Sequence, residues 1–218
     1  MDRKQLVLYA ITDRGYLNGV SLYDAVEQAL KGGASIIQLR EKELGREALR
    51  AEAAALKKLC RKYDVPLILD DDVALAKELD LDGVHIGQDD MPAYEARKIL
   101  GPDKIIGVTA KTVRQAEKAA LDGADYLGSG AVFATSTKPL AKHMSIDELK
   151  EIVSCVDIPV VAIGGINAGN VLSLKDCGIA GAAVSEAVFA AEDIRAAAEE
   201  LSRILVFCGT SGAPPCHA

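Results

Sequence analysis

Residues 35–70 read SIIQLREKELGREALRAEAAALKKLCRKYDVPLILD, and the periodicities inside that stretch carry the fold. Its ends, 35–40 and 65–70, are short apolar runs of strand length. Between them, 47–62 repeats apolar residues at three- and four-residue intervals, the mark of a helix with one buried face. Strand, helix, strand is the unit that joins two parallel strands. The same alternation extends outward from it. Further strands are expected at 6–12, 83–87, 105–110, 126–130, 159–165 and 181–187, with helices such as 22–31 and 113–121 between them. The eight strand starts span 175 residues in seven steps, a mean spacing of 25. Eight parallel strands are the number that closes a (β/α)8 TIM barrel. The α/β alternative, a doubly wound open sheet, usually has fewer strands and a dinucleotide fingerprint after the first. No G-x-G-x-x-G follows the first strand, and no Walker A motif occurs. A single-domain barrel is expected over 1–204. The end, 205–218, rich in Gly, Pro and Ser, reads as a poorly ordered tail without helical pattern.

Composition narrows the classes of function. The chain has 218 residues, 50% hydrophobic and 26% charged, with a net charge of −7, all ordinary for a globular protein. No apolar run approaches the ~20 residues that span a bilayer. The opening MDRKQLVLYAITDR places Asp13 and Arg14 where a signal-peptide cleavage site should be. A soluble, cytoplasmic protein is expected. Acidity and 4% aromatic content argue against a nucleic-acid binder, which needs a basic surface or stacking rings. Five scattered cysteines without a CxxC pair favour free thiols in a reducing compartment.

In such a barrel the chemistry belongs at the C-terminal ends of the strands. Strand two ends in Gln38-Leu39-Arg40-Glu41-Lys42, where alternation puts Gln38, Arg40 and Lys42 on one face. Two cations and an amide at a barrel mouth make a diphosphate grip, although solvated charge at a strand end reads the same way. Strand three ends in Asp70-Asp71-Asp72, and strand four runs into Gln88-Asp89-Asp90. Carboxylates on neighbouring strand ends suit Mg2+, which takes one or two of them plus phosphate oxygens. Helix capping is the competing reading for each Asp. The loop after strand six carries Thr135, Ser136, Thr137 and Lys138, and strands seven and eight lead into Gly164-Gly165 and Ser185-Glu186. Hydroxyls, glycines and main-chain N–H groups there suit a phosphate. Two anion sites follow, one over strands two to five and one over strands six to eight. His85 alternates with Val84 and Ile86, so it lines either the ligand pocket or a hydrogen-bonded core.

The motifs Gln38-Leu-Arg-Glu-Lys42, Asp82-Gly-Val-His-Ile-Gly-Gln-Asp-Asp-Met91, Thr135-Ser-Thr-Lys138 and Ala162-Ile-Gly-Gly-Ile166 stand in the order and approximate spacing of the thiamine-phosphate synthase family. Leu8-Tyr-Ala-Ile-Thr-Asp13 also resembles its first strand, so the likeness covers about residues 5–204. The resemblance implies a (β/α)8 transferase of thiamine biosynthesis. It joins 4-amino-2-methyl-5-(diphosphooxymethyl)pyrimidine to 4-methyl-5-(2-phosphooxyethyl)thiazole, releasing diphosphate, with Mg2+ as cofactor. Carried over by position, the pyrimidine diphosphate meets Gln38, Leu39, Arg40, Glu41, Lys42, Asp70, Thr109 and Lys138. Mg2+ sits on Asp71 and Asp90. The thiazole phosphate meets Thr135, Ser136, Thr137, Gly165, Ser185 and Glu186. Arg40, Lys42 and Lys138 are the expected catalytic cations. Three positions depart from the family's usual residues: Asp70 stands for Asn, Glu186 for Ser and Thr109 for Ser.

Three other readings stay open. A thiazole tautomerase shares the barrel but has its catalytic His at the position of Ala131 and lacks the Gln-Asp-Asp motif. A catalytically silent, thiazole-phosphate-binding paralogue would account for Asp70 and Glu186. A phosphosugar isomerase would need a general base at a strand end. The sequence leaves the oligomeric state open.

Overall fold

The structure, a computed structural model, describes residues 1–17, 19–135 and 143–209. Eight parallel strands close a barrel in chain order: β1 (Leu8–Ile11), β2 (Ile36–Leu39), β3 (Leu67–Asp70), β4 (Gly83–Ile86), β5 (Ile105–Thr109), β6 (Tyr126–Gly130), β7 (Val160–Ile163) and β8 (Gly181–Val184). The closing pair is β1 with β8, in register Leu8↔Ala182 through Ala10↔Val184. Around it lie α1 (Leu22–Lys31), α2 (Arg46–Lys62), α3 (Val73–Glu78), α4 (Ala93–Leu100), α5 (Val113–Leu121), α6 (Ile146–Ser154), α7 (Glu186–Phe189) and α8 (Ile194–Gly209). Among the described residues no helix is long and apolar enough to cross a membrane.

Period-two alternation divides the apolar residues into two cores. Leu8, Ala10, Ile37, Leu39, Leu67, Leu69, Val84 and Ile86 face outward and meet the buried stripes of the helices. On α1 that stripe is Leu22, Ala25, Val26, Ala29 and Leu30, at the expected three- and four-residue spacing. Inside the barrel, Tyr9, Ile11, Ile36, Ile68, Tyr126, Val161 and Ala183 pack with Leu6, which plugs the N-terminal end. Helix starts are capped by hydroxyls and carboxylates: Ser21 for α1, Asp72 for α3, Thr112 for α5, and a reciprocal Ser145–Glu148 box for α6. Asp72 is therefore a capping residue, also paired with Arg46 at 3.0 Å.

Two expectations are corrected. Where the strand–helix alternation places a helix between β7 and β8, the structure has only a 3-10 turn, Val171–Leu174, because Asn167 and Asn170 satisfy the loop backbone locally. The tail expected from residue 205 begins inside α8, which continues to Gly209 with Leu205 and Cys208 buried. Residues 210–218 lie outside the described chain.

Near the N-terminal end of the barrel, Lys104 and Lys57 donate to the Asp80 carboxylate at 2.6 and 3.3 Å. They hold its pKa down to about 2, against an ordinary 3.8. A folded pKa below the unfolded one adds stability that is full above the unfolded value and lost as pH falls through the folded one. Asp80 has φ 51°, a conformation asparagine tolerates, so Asp80→Asn removes the charge cleanly. The wild type is expected to melt above Asp80→Asn at pH 6, with the gap closing between about pH 4 and pH 2. Thermal unfolding of both proteins across that range checks it; a gap that persists at pH 2 contradicts it.

Candidate active site

β2 ends at the mouth with its alternation intact. Gln38 points into the lumen and is almost fully buried, while Leu39 points outward into the helix-facing core and offers the mouth only main-chain atoms. Arg40 and Lys42 continue the inward face. Arg40 Nε stands 3.7 Å and Lys42 Nζ 2.9 Å from Asp70 Oδ2, and Lys42 also hydrogen-bonds Asp71. Asp70 Oδ2 is buried and lacks an aligned hydrogen bond, so its contacts with the two cations are ionic. The φ of 64° at Asp71, with its N–H donating to the His85 carbonyl at 2.9 Å, turns the chain sharply at the end of β3. The result is two cations and two carboxylates within one cluster at the ends of β2 and β3.

Glu41 faces the other way. It accepts from the Thr12 hydroxyl at 3.1 Å and from Arg14 at 3.2 Å. Burial raises its pKa, and the Thr12 and Arg14 bonds work against that rise. Thr12, fully buried just beyond β1, also accepts from the Arg40 N–H at 3.0 Å, so it fixes the backbone that carries Arg40. Sequence reading missed Thr12 because it acts on main chain. Its only signal was a hydroxyl placed just past an apolar strand.

Beyond β4, the Gly87 N–H donates to Asp90 Oδ2 at 2.7 Å, and Gln88 Nε2 to the Thr109 carbonyl at 2.5 Å. Gln88, which the sequence placed in the Gln-Asp-Asp motif without a role of its own, thus ties this loop to the end of β5. Asp90 is exposed. Among the described residues no group of three or more His, Cys, Asp or Glu gathers as a metal-ligand set. Inside the lumen, the hydroxyl of Thr109 lies 3.0 Å from His85 Nε2, and His85 Nδ1 lies 3.1 Å from the Tyr126 hydroxyl. Of the two readings of His85, the structure gives the hydrogen-bonded one.

On the β6–β8 side, Thr135 is half-buried; Ser136, Thr137 and Lys138 lie outside the described residues. Gly165 has φ 63°, and a Cβ there would collide with the main chain at Phe133 and Ala134. Only glycine lets these two loops close together. Asn170 Nδ2 donates to the Gly165 carbonyl at 2.8 Å and holds the turn. Ser185 Oγ is buried without a hydrogen-bond partner, at the end of β8, and Glu186 is exposed at the start of α7. Buried hydroxyls are normally paired, so Ser185 offers an unmet donor at the mouth.

The sequence profile of the thiamine monophosphate synthase family matches residues 8–188. A thiamine-phosphate synthase from Clostridium tetani is 47% identical over 195 residues, covering 89% of this chain and 93% of its own. One from Ruminiclostridium cellulolyticum is 48% identical over 199 residues, covering 91% and 95%. Among solved structures, a thiamine phosphate pyrophosphorylase from Pyrococcus furiosus superimposes with a TM-score of 0.87 at 41% identity, covering 94% of this chain and 98% of that one. With a closed barrel, a family profile that matches residues 8–188 and relatives spanning almost its whole length, the chain belongs to the thiamine monophosphate synthase family of transferases.

Proposed function

We propose that this barrel joins 4-amino-2-methyl-5-(diphosphooxymethyl)pyrimidine to 4-methyl-5-(2-phosphooxyethyl)thiazole, giving thiamine phosphate and diphosphate. The observation that carries the reading is the cluster of Arg40 and Lys42 with Asp70 and Asp71 at the ends of β2 and β3. The bond between the pyrimidine methylene carbon and the diphosphate oxygen breaks, and the thiazole nitrogen supplies the electron pair of the new C–N bond. That nitrogen carries no proton to remove, so the site needs no general base. The electron-rich aminopyrimidine ring lets the diphosphate depart early, and the protein's task is to hold the charge growing on it. Arg40 offers a planar fork and Lys42 a point charge for those oxygens. Lys138, outside the described residues, is proposed as a third cation there. Gln38 and Thr109 would meet the pyrimidine from the lumen side, with Leu39 and Glu41 contributing main chain.

Asp71 and Asp90 fit Mg2+ as oxygen donors, provided that substrate phosphate oxygens complete the shell. When bound, the ion would neutralise charge on the leaving diphosphate. In the free protein Lys42 bonds Asp71, so binding exchanges that ammonium from carboxylate to phosphate. Thr135, Ser136, Thr137, Gly165 and Ser185 would hold the thiazole phosphate. The unmet Ser185 hydroxyl supports this assignment. The described cysteines are free thiols, which supports a cytoplasmic, reducing setting.

Glu186 puts a carboxylate beside that phosphate. Glu186→Ser is expected to lower KM for the thiazole phosphate about three- to tenfold by removing a like charge in a solvated setting. Steady-state kinetics with the pyrimidine substrate saturating check this; an unchanged KM means the carboxylate turns away. The function itself is tested by incubating metal-stripped protein with both substrates and separating products by chromatography. Thiamine phosphate that appears only after Mg2+ is restored supports the reading. Saturable thiazole phosphate binding without product would favour the silent binder instead.

A further inference from the structure

A continuous chain of hydrogen bonds crosses the lumen beneath the mouth, and the leaving-group chemistry makes no use of it. Gln38 Nε2 donates to the Tyr9 hydroxyl at 2.9 Å, and the Tyr9 and Tyr126 hydroxyls are 2.7 Å apart. Tyr126 meets His85 Nδ1 at 3.1 Å, and His85 Nε2 meets Thr109 Oγ1 at 3.0 Å. Both tyrosines are buried to within 1% exposure, one from β1 and one from β6, with ring centroids 5.8 Å apart. The strand beside Tyr126 makes room for its ring with Gly107, where any Cβ would strike the phenol.

We infer that Tyr9, Tyr126 and His85 are positioning residues that give this chain one polarity, fixing which hydrogen-bonding groups Gln38 and Thr109 present to the pyrimidine. The inference rests on the pyrimidine diphosphate being the substrate, and it deepens that reading. The polarity follows from counting hydrogens. Gln38 Nε2 can only donate, so the Tyr9 oxygen accepts there and its single hydrogen goes to Tyr126. Were Tyr9 to accept from both neighbours, its own hydrogen would be buried without a partner, which native interiors avoid. Tyr126 then gives its hydrogen to His85 Nδ1, which must be bare. The neutral imidazole therefore carries its hydrogen on Nε2 and donates to Thr109 Oγ1. Burial pushes both phenols well above the ordinary tyrosine range, so each keeps its hydrogen. Two groups are left uncommitted: the Gln38 carbonyl oxygen, an acceptor, and the Thr109 hydroxyl hydrogen, a donor. An aminopyrimidine carries the complements, an amino donor and ring-nitrogen acceptors. Because the chain is continuous, the two ends cannot be set independently.

The imidazole hydrogen is the direct readout. The protein has three histidines, and the His85 resonances are those lost in His85→Asn. Long-range proton–nitrogen correlation spectra of uniformly 15N-labelled protein, at a pH where the ring is neutral, are expected to show His85 as the single Nε2–H tautomer. In Tyr126→Phe the spectrum is expected to move to a tautomer mixture. In both Tyr126→Phe and Tyr9→Phe, KM for the pyrimidine diphosphate is expected to rise about five- to tenfold, as for loss of one orienting hydrogen bond. The turnover number and KM for the thiazole phosphate stay within about twofold of wild type in both. An Nδ1–H tautomer in the wild type overturns the proposal, since it requires Gln38 turned about with its oxygen on Tyr9. Pyrimidine KM values unchanged in both Phe variants overturn it as well. If Tyr126→Phe does not fold, Tyr9→Phe reads the same kinetic split. A wild type that turns over no pyrimidine diphosphate contradicts the functional reading instead, and the tautomer then decides the chain's polarity by itself.

Discussion

Arg40→Ala is expected to lower turnover by about two to three orders of magnitude, the size seen when one preorganised donor to a developing oxyanion is removed. The structure makes this a clean substitution. The Arg40 side chain is 22% exposed and its ionic contact is the 3.7 Å approach to Asp70, which keeps Lys42 at 2.9 Å when the guanidinium is gone. The backbone at Arg40 stays anchored by its N–H to Thr12. Because Asp70 keeps Lys42 as a cationic partner, the fold should survive the substitution, and any loss of stability shows as a lowered urea midpoint. Arg40→Lys should recover part of the loss, because an ammonium restores charge but not the planar fork. Saturation kinetics with both substrates, together with urea unfolding of each variant, separate the two effects. Turnover near wild type in Arg40→Ala removes the guanidinium from the leaving-group chemistry. A large loss accompanied by a lowered urea midpoint would assign it to folding.

Gly181→Val is expected to be among the most damaging single changes to the fold. Gly181 opens β8 where it meets β1, and a Cβ there would overlap the main-chain carbonyls of Leu6 and Val7. Backbone cannot rotate away as a side chain can. The Ala182 N–H to Val7 carbonyl bond, 3.1 Å, lies directly beside the clash, so relief would open the seam that closes the barrel. A steric conflict of this kind falls in the exceptional class of about 4 kcal/mol or more. For a chain of this size that lowers the melting temperature by about 10 °C or more. Gly45→Ala is the control: nothing lies near its Cβ, and it should melt within about 2 °C of wild type. Circular dichroism melts of both variants check the contrast, and equal melting temperatures would contradict it.

The barrel was legible because its strands are apolar runs at a regular spacing, and no other arrangement of eight parallel strands covers all of them so simply. The limits of legibility are local. The stretch 181–187 was expected to be strand throughout, yet it bends into α7 at Glu186 once the chain reaches the mouth. The helical continuation of α8 was in the sequence, since Leu201, Leu205 and Cys208 recur at four- and three-residue intervals, but the Gly- and Pro-rich residues after it masked the pattern. At the site, Gln38, Arg40, Lys42, Asp70 and Asp71 could be grouped because strand ends of a barrel converge. Thr12 and Gln88 could not, since each acts on the main chain of another strand. Nor could Tyr9 and Tyr126, 117 positions apart in the chain: alternation says that both face inward, and only the barrel's geometry brings their hydroxyls together.

The measurement closest to the central claim is diphosphate release by the wild type with both substrates and Mg2+ present, then with each of the three omitted in turn. Release that needs all three, with one thiamine phosphate formed for each diphosphate, is the predicted result. Diphosphate released at the same rate without the thiazole phosphate, or no release with everything present, would contradict the account.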